Sequence, residues 1–209
     1  MTAQIDTRSG VLRHGRFLPI PFTLVSMAGL ALWFWGMGNS DLERVRDLDD
    51  AINSKAAALA GATLIIVSMV LLIAFCVFVR NVYRDRPLVM TGAVLLGLGG
   101  VAHLVENGLV WVFLSGDVTA EQTLWNVINA LSFAAFGLLG IGVVLISIGM
   151  SGPRWLRALG VVAGGLNILS GLGYFVPALF ENSPPPVLII VWLVLFGLWS
   201  PRQSPSTTA

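Results

Sequence analysis

The sequence predicts an all-α protein, a polytopic membrane bundle of six transmembrane helices. Of its 209 residues, 56% are hydrophobic and only 11% are charged, and the mean hydropathy is +0.85. A soluble domain carries about 25% charged residues, and a soluble fold of this length could not hide so much apolar surface. Six apolar runs, the last of them short, set the number of helices.

The predicted elements run from a polar tail at residues 1–16 to a second polar tail at residues 200–209, which we expect to be disordered. Between them, spanning helices are predicted at 17–37, 56–79, 88–114, 124–150, 155–180 and 186–199. The first run ends in WFWGMGN rather than in a small-residue cleavage site, so we interpret it as a retained helix. The sixth has no polar residue between Val187 and Phe196, and we expect it to be peripheral.

The distribution of arginine orients the predicted bundle. Nine arginines fall in the two tails and in the second and fourth loops: Arg8, Arg13, Arg16, Arg80, Arg84, Arg86, Arg154, Arg157 and Arg202. The other loops hold only Arg44, Arg46 and Lys55, among many acidic residues. By the positive-inside rule, this bias places the N and C termini in the cytoplasm. Trp33, Trp35, Trp111 and Trp125 then lie at the outer interface, and Trp155 and Trp199 at the inner one.

The first outer loop, residues 39–55, is the longest polar segment between helices and reads NSDLERVRDLDDAINSK. Leu42, Val45, Leu48 and Ile52 recur in it at helical spacing, which is typical of a short amphipathic helix on a membrane surface. A solvated loop that merely joins two helices accounts for the same residues equally well, and both alternatives stay open.

Three of the predicted helices each carry one stripe of small and polar residues at helical spacing. The third has Gly92, Leu96, Gly99, Gly100, His103, Glu106, Asn107 and Val110; the fourth has Asn126, Asn129, Ala130, Phe133, Gly137, Gly140, Val144 and Ser147; the fifth has Gly160, Ala163, Gly164, Asn167, Ser170, Gly171, Tyr174 and Ala178. Small residues let helices approach in a bilayer and polar residues turn inward, so we expect the three stripes to meet.

The direction of each helix sets the depth of these polar residues. Those expected to converge in the outer half of the membrane are His103, Glu106, Asn107, Asn126, Asn129 and Tyr174, with Asn167 near the middle. The sequence therefore predicts a buried polar pocket in the outer leaflet, and these seven residues are the candidate ligand or proton site.

His103 and Glu106 are the ionisable pair of this cluster. A charged carboxylate in hydrocarbon costs at least about 2.5–3.5 kcal/mol, so it usually has a partner or is protonated. The two residues are three apart and therefore adjacent on a helix surface, where each can satisfy the other. In one interpretation the pair and Asn129 only tie helices together; in the other they form a substrate or proton site.

The sequence has too few suitable residues for a metal site, a haem, a Schiff base or a disulfide. Zinc and di-iron sites need several ligands from different helices, and the membrane region offers only His103 and Glu106. One intramembrane histidine excludes a bis-histidine haem, and the only lysine, Lys55, lies at a helix end, which excludes a mid-membrane Schiff base. A single cysteine, Cys76, excludes an internal disulfide. We therefore expect no metal and no cofactor, and a net charge of +1 gives no sign of nucleic-acid binding.

The segment Phe136 to Phe175 reads FGLLGIGVVLISIGMSGPRWLRALGVVAGGLNILSGLGYF, a glycine-rich helix, a basic proline turn and a helix that opens with a Leu-Gly pair. With the basic tail and the long first outer loop, it resembles the bacterial six-helix integral membrane family called domain of unknown function 4386. The resemblance covers the layout of most of the chain. It implies a multi-pass protein of the bacterial plasma membrane, and it transfers no activity to particular residues.

Two functional hypotheses lead. In the first, a non-enzymatic membrane protein binds or transports a small or lipophilic ligand through the His103–Glu106 cluster. In the second, the protein is a structural or accessory subunit, and its acidic outer loop contacts a partner. An intramembrane enzyme or redox protein is the least favoured alternative. The expected partners are the lipid bilayer and either a membrane subunit or a further copy of the chain.

Overall fold

The computed structural model describes residues 14–37, 53–115, 122–173, 175–176 and 187–200, and the part of the chain it describes is helical without strands. Its helices are α1 (Pro19–Met37), α2 (Lys55–Val82), α3 (Pro87–Ser115), α4 (Gln122–Gly149), α5 (Arg154–Leu172) and α6 (Val187–Trp199), with a 3-10 turn at Gly15–Phe17 before α1. Five of these helices are long and apolar enough to cross a membrane. The sixth has 13 residues, which gives it a length of about 20 Å. These helices indicate a multi-pass membrane protein.

Local sequence explains where several helices begin and end. The Ser54 hydroxyl caps α2 by accepting a hydrogen bond from the Ala57 amide. Helix α3 begins with Pro87, whose fixed backbone angle suits the first position of a helix. Helix α5 ends at Leu172, where Gly171 and Gly173 weaken the helix. Most of residues 39–55, Tyr174 and most of both tails lie outside the described residues.

Three pairs of glycines bring consecutive helices into close contact: Gly29 with Gly61 (α1 and α2), Gly92 with Gly142 (α3 and α4), and Gly140 with Gly164 (α4 and α5). In each pair, a β-carbon built on either glycine would lie 2.5–3.1 Å from the carbonyl oxygen of the other. Any side chain there would force the backbones apart. These crossings are therefore possible because the bundle uses glycine where a lipid environment gives no hydrophobic drive for helix association.

Helix α4 contacts its two neighbours through different faces, which corrects the expectation that three stripes meet. Its predicted stripe does pack on α5, through Gly140. The stripe of α3, however, packs on a second face of α4, where Leu139 lies against Gly99 and Gly142 against Gly92. A helix flanked on both sides must have two packing faces. The face of α4 that packs on α3 could not be recognised from the sequence because it holds almost no polar residue.

The expectation that the sixth helix is peripheral is wrong. Trp192 and Phe196 of α6 are 0% exposed. The Trp192 indole N–H donates a 3.0 Å hydrogen bond to the Leu156 carbonyl of α5, and the Phe196 ring packs against Tyr83 and Phe75. An indole N–H has to find an acceptor in an apolar setting, so a helix whose only polar group is a tryptophan can still pack inside the bundle.

Basic residues gather at one end of the bundle. There Gly15 approaches Phe78, the Arg16 carbonyl lies against Gly197, and Tyr83 packs on Phe196. We call this the basic end and define it by Arg16, Arg80, Arg84, Arg86, Arg154 and Arg157.

Two of these arginines cap α4. The Arg157 guanidinium donates to the Ser147 and Ile148 carbonyls, and Arg86 donates to the Gly149 carbonyl. The last carbonyls of a helix lack partners within it and carry partial negative charge. The two arginines therefore supply hydrogen bonds to the last carbonyls of α4, Arg157 from α5 and Arg86 from the turn before α3.

Candidate functional site

The His103–Glu106 pair lies on α3, on the side that faces α4. The His103 Nδ1 and Glu106 Oε2 atoms are 2.6 Å apart, and the two side chains are 12% and 15% exposed. Residues three apart on a helix project in nearly the same direction, which explains why the pair forms. One proton is shared across the contact: Nδ1–H donates to an ionised carboxylate, or a protonated carboxyl donates to the neutral ring.

Asn107 extends this polar surface but remains on its own helix. Its side-chain amide donates a 2.9 Å hydrogen bond to the His103 carbonyl, and the residue is buried. The amide thus adds a second hydrogen bond to a backbone oxygen of α3 and does not reach another helix through that contact.

Phe136 of α4 covers one side of the pair. Its ring stands edge-on to the His103 imidazole, with centroids 5.0 Å apart and planes at 82°. The Phe136 carbonyl also accepts a 2.8 Å hydrogen bond from the buried Asn167 side chain of α5. Asn167 is therefore one residue removed from the His103–Glu106 pair, with Phe136 between them. The sequence signal for Phe136 was weak, since it lies just before Gly137 of the predicted stripe.

The remaining predicted site residues are Asn126, Asn129 and Tyr174. Gly99 lies against Leu139 and the Phe113 ring against Trp125, so Glu106, midway along α3 between these contacts, is level with Ser132 on α4. Asn129 and Asn126 are three and six residues beyond Ser132, which places them about 4.5 Å and about 9 Å farther along α4. Asn129 is half-buried and Asn126 is exposed; Tyr174 lies outside the described residues.

The site that results combines one carboxyl, one imidazole and one aromatic edge in an apolar bundle. Within the described ranges, no group of three or more His, Cys, Asp or Glu side chains gathers to hold a metal ion. A largely buried carboxylate and imidazole can hold a proton between them or exchange it for a positively charged ligand. No family model, no curated protein and no solved structure matches the chain. A function therefore has to be inferred from these residues.

Proposed function

We propose that the protein is a multi-pass protein of a bacterial plasma membrane with both termini in the cytoplasm. The gathering of arginines at the basic end supports this orientation, because cytoplasmic segments carry the excess of basic residues. His103 and Glu106 then lie about 24 Å and about 28 Å along α3 from Pro87, in the outer half of the membrane. The bacterial source rests on the resemblance to the six-helix family, which stays a prediction.

The function proposed for the site is to bind a small lipophilic cation at the Glu106 carboxylate, in exchange for the proton that His103 and Glu106 share. The single observation that carries the proposal is the 2.6 Å pair, largely buried and satisfied within one turn of α3. An ionisable group held inside an apolar bundle is costly, and such groups mark ligand or proton sites in membrane proteins.

A purely structural role fits the pair less well. Hydrogen bonds between helices are made by other side chains, among them Asn167 to the Phe136 carbonyl and Trp192 to the Leu156 carbonyl. The closest helix contacts are made by glycines. The hydrogen bond between His103 and Glu106, by contrast, joins two residues of α3 and holds no second helix. Helix association therefore does not explain why the chain has an ionisable pair here.

The surroundings favour a lipophilic cation over other ligands. The Glu106 carboxylate supplies the negative charge, and the Phe136 ring, which contacts His103, supplies apolar surface in the same cluster. The released proton passes to water, and no covalent step is required.

Equilibrium dialysis of tetraphenylphosphonium against the purified protein tests the proposal. We expect saturable binding by the wild type, and a loss of roughly tenfold in affinity in Glu106→Gln, which removes a charge-assisted contact. Asp85→Asn is the matched control, since it removes one carboxylate from an exposed turn at the basic end.

Thermal stability measured in parallel separates the alternatives. Equal binding by the wild type and Glu106→Gln, with only the stability of the variant reduced, would overturn the ligand site in favour of the structural one. Absence of binding by the wild type would overturn it as well. Loss of affinity in Glu106→Gln alone, with the melting temperature retained, supports it.

A further inference from the structure

A groove at the basic end lies between α4 and α5, away from the His103–Glu106 pair. It is lined by Ser147, Ile148, Arg154, Arg157, Ala158 and Val161, and its volume is about 150 Å³. A water molecule needs only roughly 10–15 Å³ of such space. The groove is therefore large enough for a phosphate group.

Two guanidinium groups provide the charge of this groove. Arg154 and Arg157 are three residues apart on α5 and so project to the same side. Arg157 is held in place by its bonds to the Ser147 and Ile148 carbonyls. In the described part of the chain Arg154 forms no hydrogen bond or ion pair, and no carboxylate pairs with either arginine. The groove thus presents positive charge that has no counterion among the described residues.

Three other lining residues, Ile148, Ala158 and Val161, are apolar and exposed, whereas Ser147 is buried. Ile148 and Val161 are exposed on the bundle surface, and Trp155, next to Arg154, is 57% exposed. Exposed tryptophan beside arginine is typical of the level at which lipid headgroups meet hydrocarbon. A ligand here would meet arginines at one end and an apolar helix surface at the other.

We propose that this groove binds the headgroup phosphate of an anionic phospholipid, with an acyl chain lying along Ile148 and Val161. The arginines match phosphate because a guanidinium can donate two parallel hydrogen bonds to its oxygen atoms. A soluble phosphate would use the charge but leave the apolar surface uncovered, so the mixed lining favours a lipid. Basic pockets between helices on the cytoplasmic side are suited to anionic headgroups, which enrich that leaflet.

Native mass spectrometry of the detergent-solubilised full chain tests this proposal with two lipids of equal acyl chains, phosphatidylglycerol and phosphatidylcholine. We expect the wild type to retain one phosphatidylglycerol molecule in preference to phosphatidylcholine. In Arg154→Gln that retention should fall roughly tenfold, since a hydrogen bond to a charged group is lost. Arg84→Gln is the control, because it removes an exposed arginine from the same end but outside the groove.

Arg154 is preferred to Arg157 for the test because Arg157 also caps α4, so its loss would disturb the fold. Equal retention of the two lipids, or an equal loss in Arg154→Gln and Arg84→Gln, would overturn the proposal. Displacement of phosphatidylglycerol by millimolar inorganic phosphate would overturn it too, by assigning the groove to a soluble anion. The Glu106→Gln variant should keep its lipid, so this site and the cation site can fail separately.

Discussion

The Phe136 carbonyl accepts a 2.8 Å hydrogen bond from the Asn167 side chain, while the ring of the same phenylalanine stands edge-on to His103. One residue of α4 thus connects a polar side chain of α5 with the ionisable pair of α3. Since Asn167 is buried, its contact is protected from water.

Replacing Asn167 by Leu removes this interhelical hydrogen bond and keeps the side-chain size. The free energy of unfolding should fall by about 0.6 kcal/mol, and by no more than about 1.7 kcal/mol, because hydrogen bonds between membrane helices are modest. Unfolding by SDS in mixed micelles measures it. Ser170→Ala is the control, since its hydroxyl bonds to the Leu166 carbonyl of its own helix. An equal effect in both variants would contradict the assigned contact.

Two adjacent glycines of α5 should respond oppositely to substitution by alanine. At Gly164 the new β-carbon would lie 2.6 Å from the Gly140 carbonyl oxygen, whereas at Gly165 it meets nothing within 4 Å. Gly164→Ala should therefore lower the free energy of unfolding by about 1–3 kcal/mol, as overpacking does. Gly165→Ala should leave it unchanged or raise it by up to about 1 kcal/mol through helix propensity. Thermal unfolding in detergent measures both variants. A similar loss of stability at both positions would be inconsistent with this helix crossing.

The helices were predictable from the sequence because a bilayer demands long apolar runs, and composition alone reveals those. The inward position of Gly92, Gly99 and His103 was predictable for a similar reason, since small and polar residues at helical spacing avoid lipid. The pairing of His103 with Glu106 needed only the geometry of one helix.

What periodicity could not give was the relation between helices. A stripe gives the direction of a face but not which neighbour it meets, so the use of a second face of α4 by α3 was missed. A stripe also leaves open how far one helix is shifted along its axis relative to the next. Phe136 could not be predicted as part of the site, because it makes its two contacts through its ring and its backbone carbonyl, and neither is a polar side chain.

The buried indole of Trp192 should make α6 a packed part of the bundle. Trp192→Phe keeps an aromatic ring but removes the indole hydrogen bond to the Leu156 carbonyl, so the free energy of unfolding should fall by about 1 kcal/mol. Trp192→Ala also opens a cavity and should cost about 3–5 kcal/mol. Trp155→Phe, at an exposed tryptophan, provides the control. An unchanged melting temperature in Trp192→Ala would show that α6 is peripheral.

Tyr83 should make the protein sensitive to alkali. Its phenol is buried in the turn after α2, and the Ser200 hydroxyl approaches it without completing a hydrogen bond of good geometry. Burial raises the pKa of Tyr83 above its ordinary value of 10.0, although Ser200 and the Arg86 guanidinium partly offset this effect. Because the folded state favours the neutral phenol, stability is fully present below the ordinary pKa and is lost as the pH rises through the higher folded value.

Tyr83→Phe isolates that alkaline loss. The variant removes a buried hydroxyl without a good partner among the described residues, so at neutral pH its stability should equal or slightly exceed that of the wild type. Between about pH 9 and about pH 11 its melting temperature should fall less steeply than that of the wild type. Tyr174 is common to both proteins and cancels from the difference. Parallel pH curves would show that the phenol is not buried as described.

Removing one member of the His103–Glu106 pair should be worse than removing both. His103→Leu leaves the Glu106 carboxyl in an apolar bundle without its partner, which should cost about 1–3 kcal/mol. Adding Glu106→Leu removes that stranded group, so the double variant should recover much of the loss. A double-mutant cycle by SDS unfolding measures this coupling. Additive losses would mean that each side chain holds the bundle through other contacts, whereas recovery means that the pair is dispensable for folding and that its retention has to be explained by what it binds.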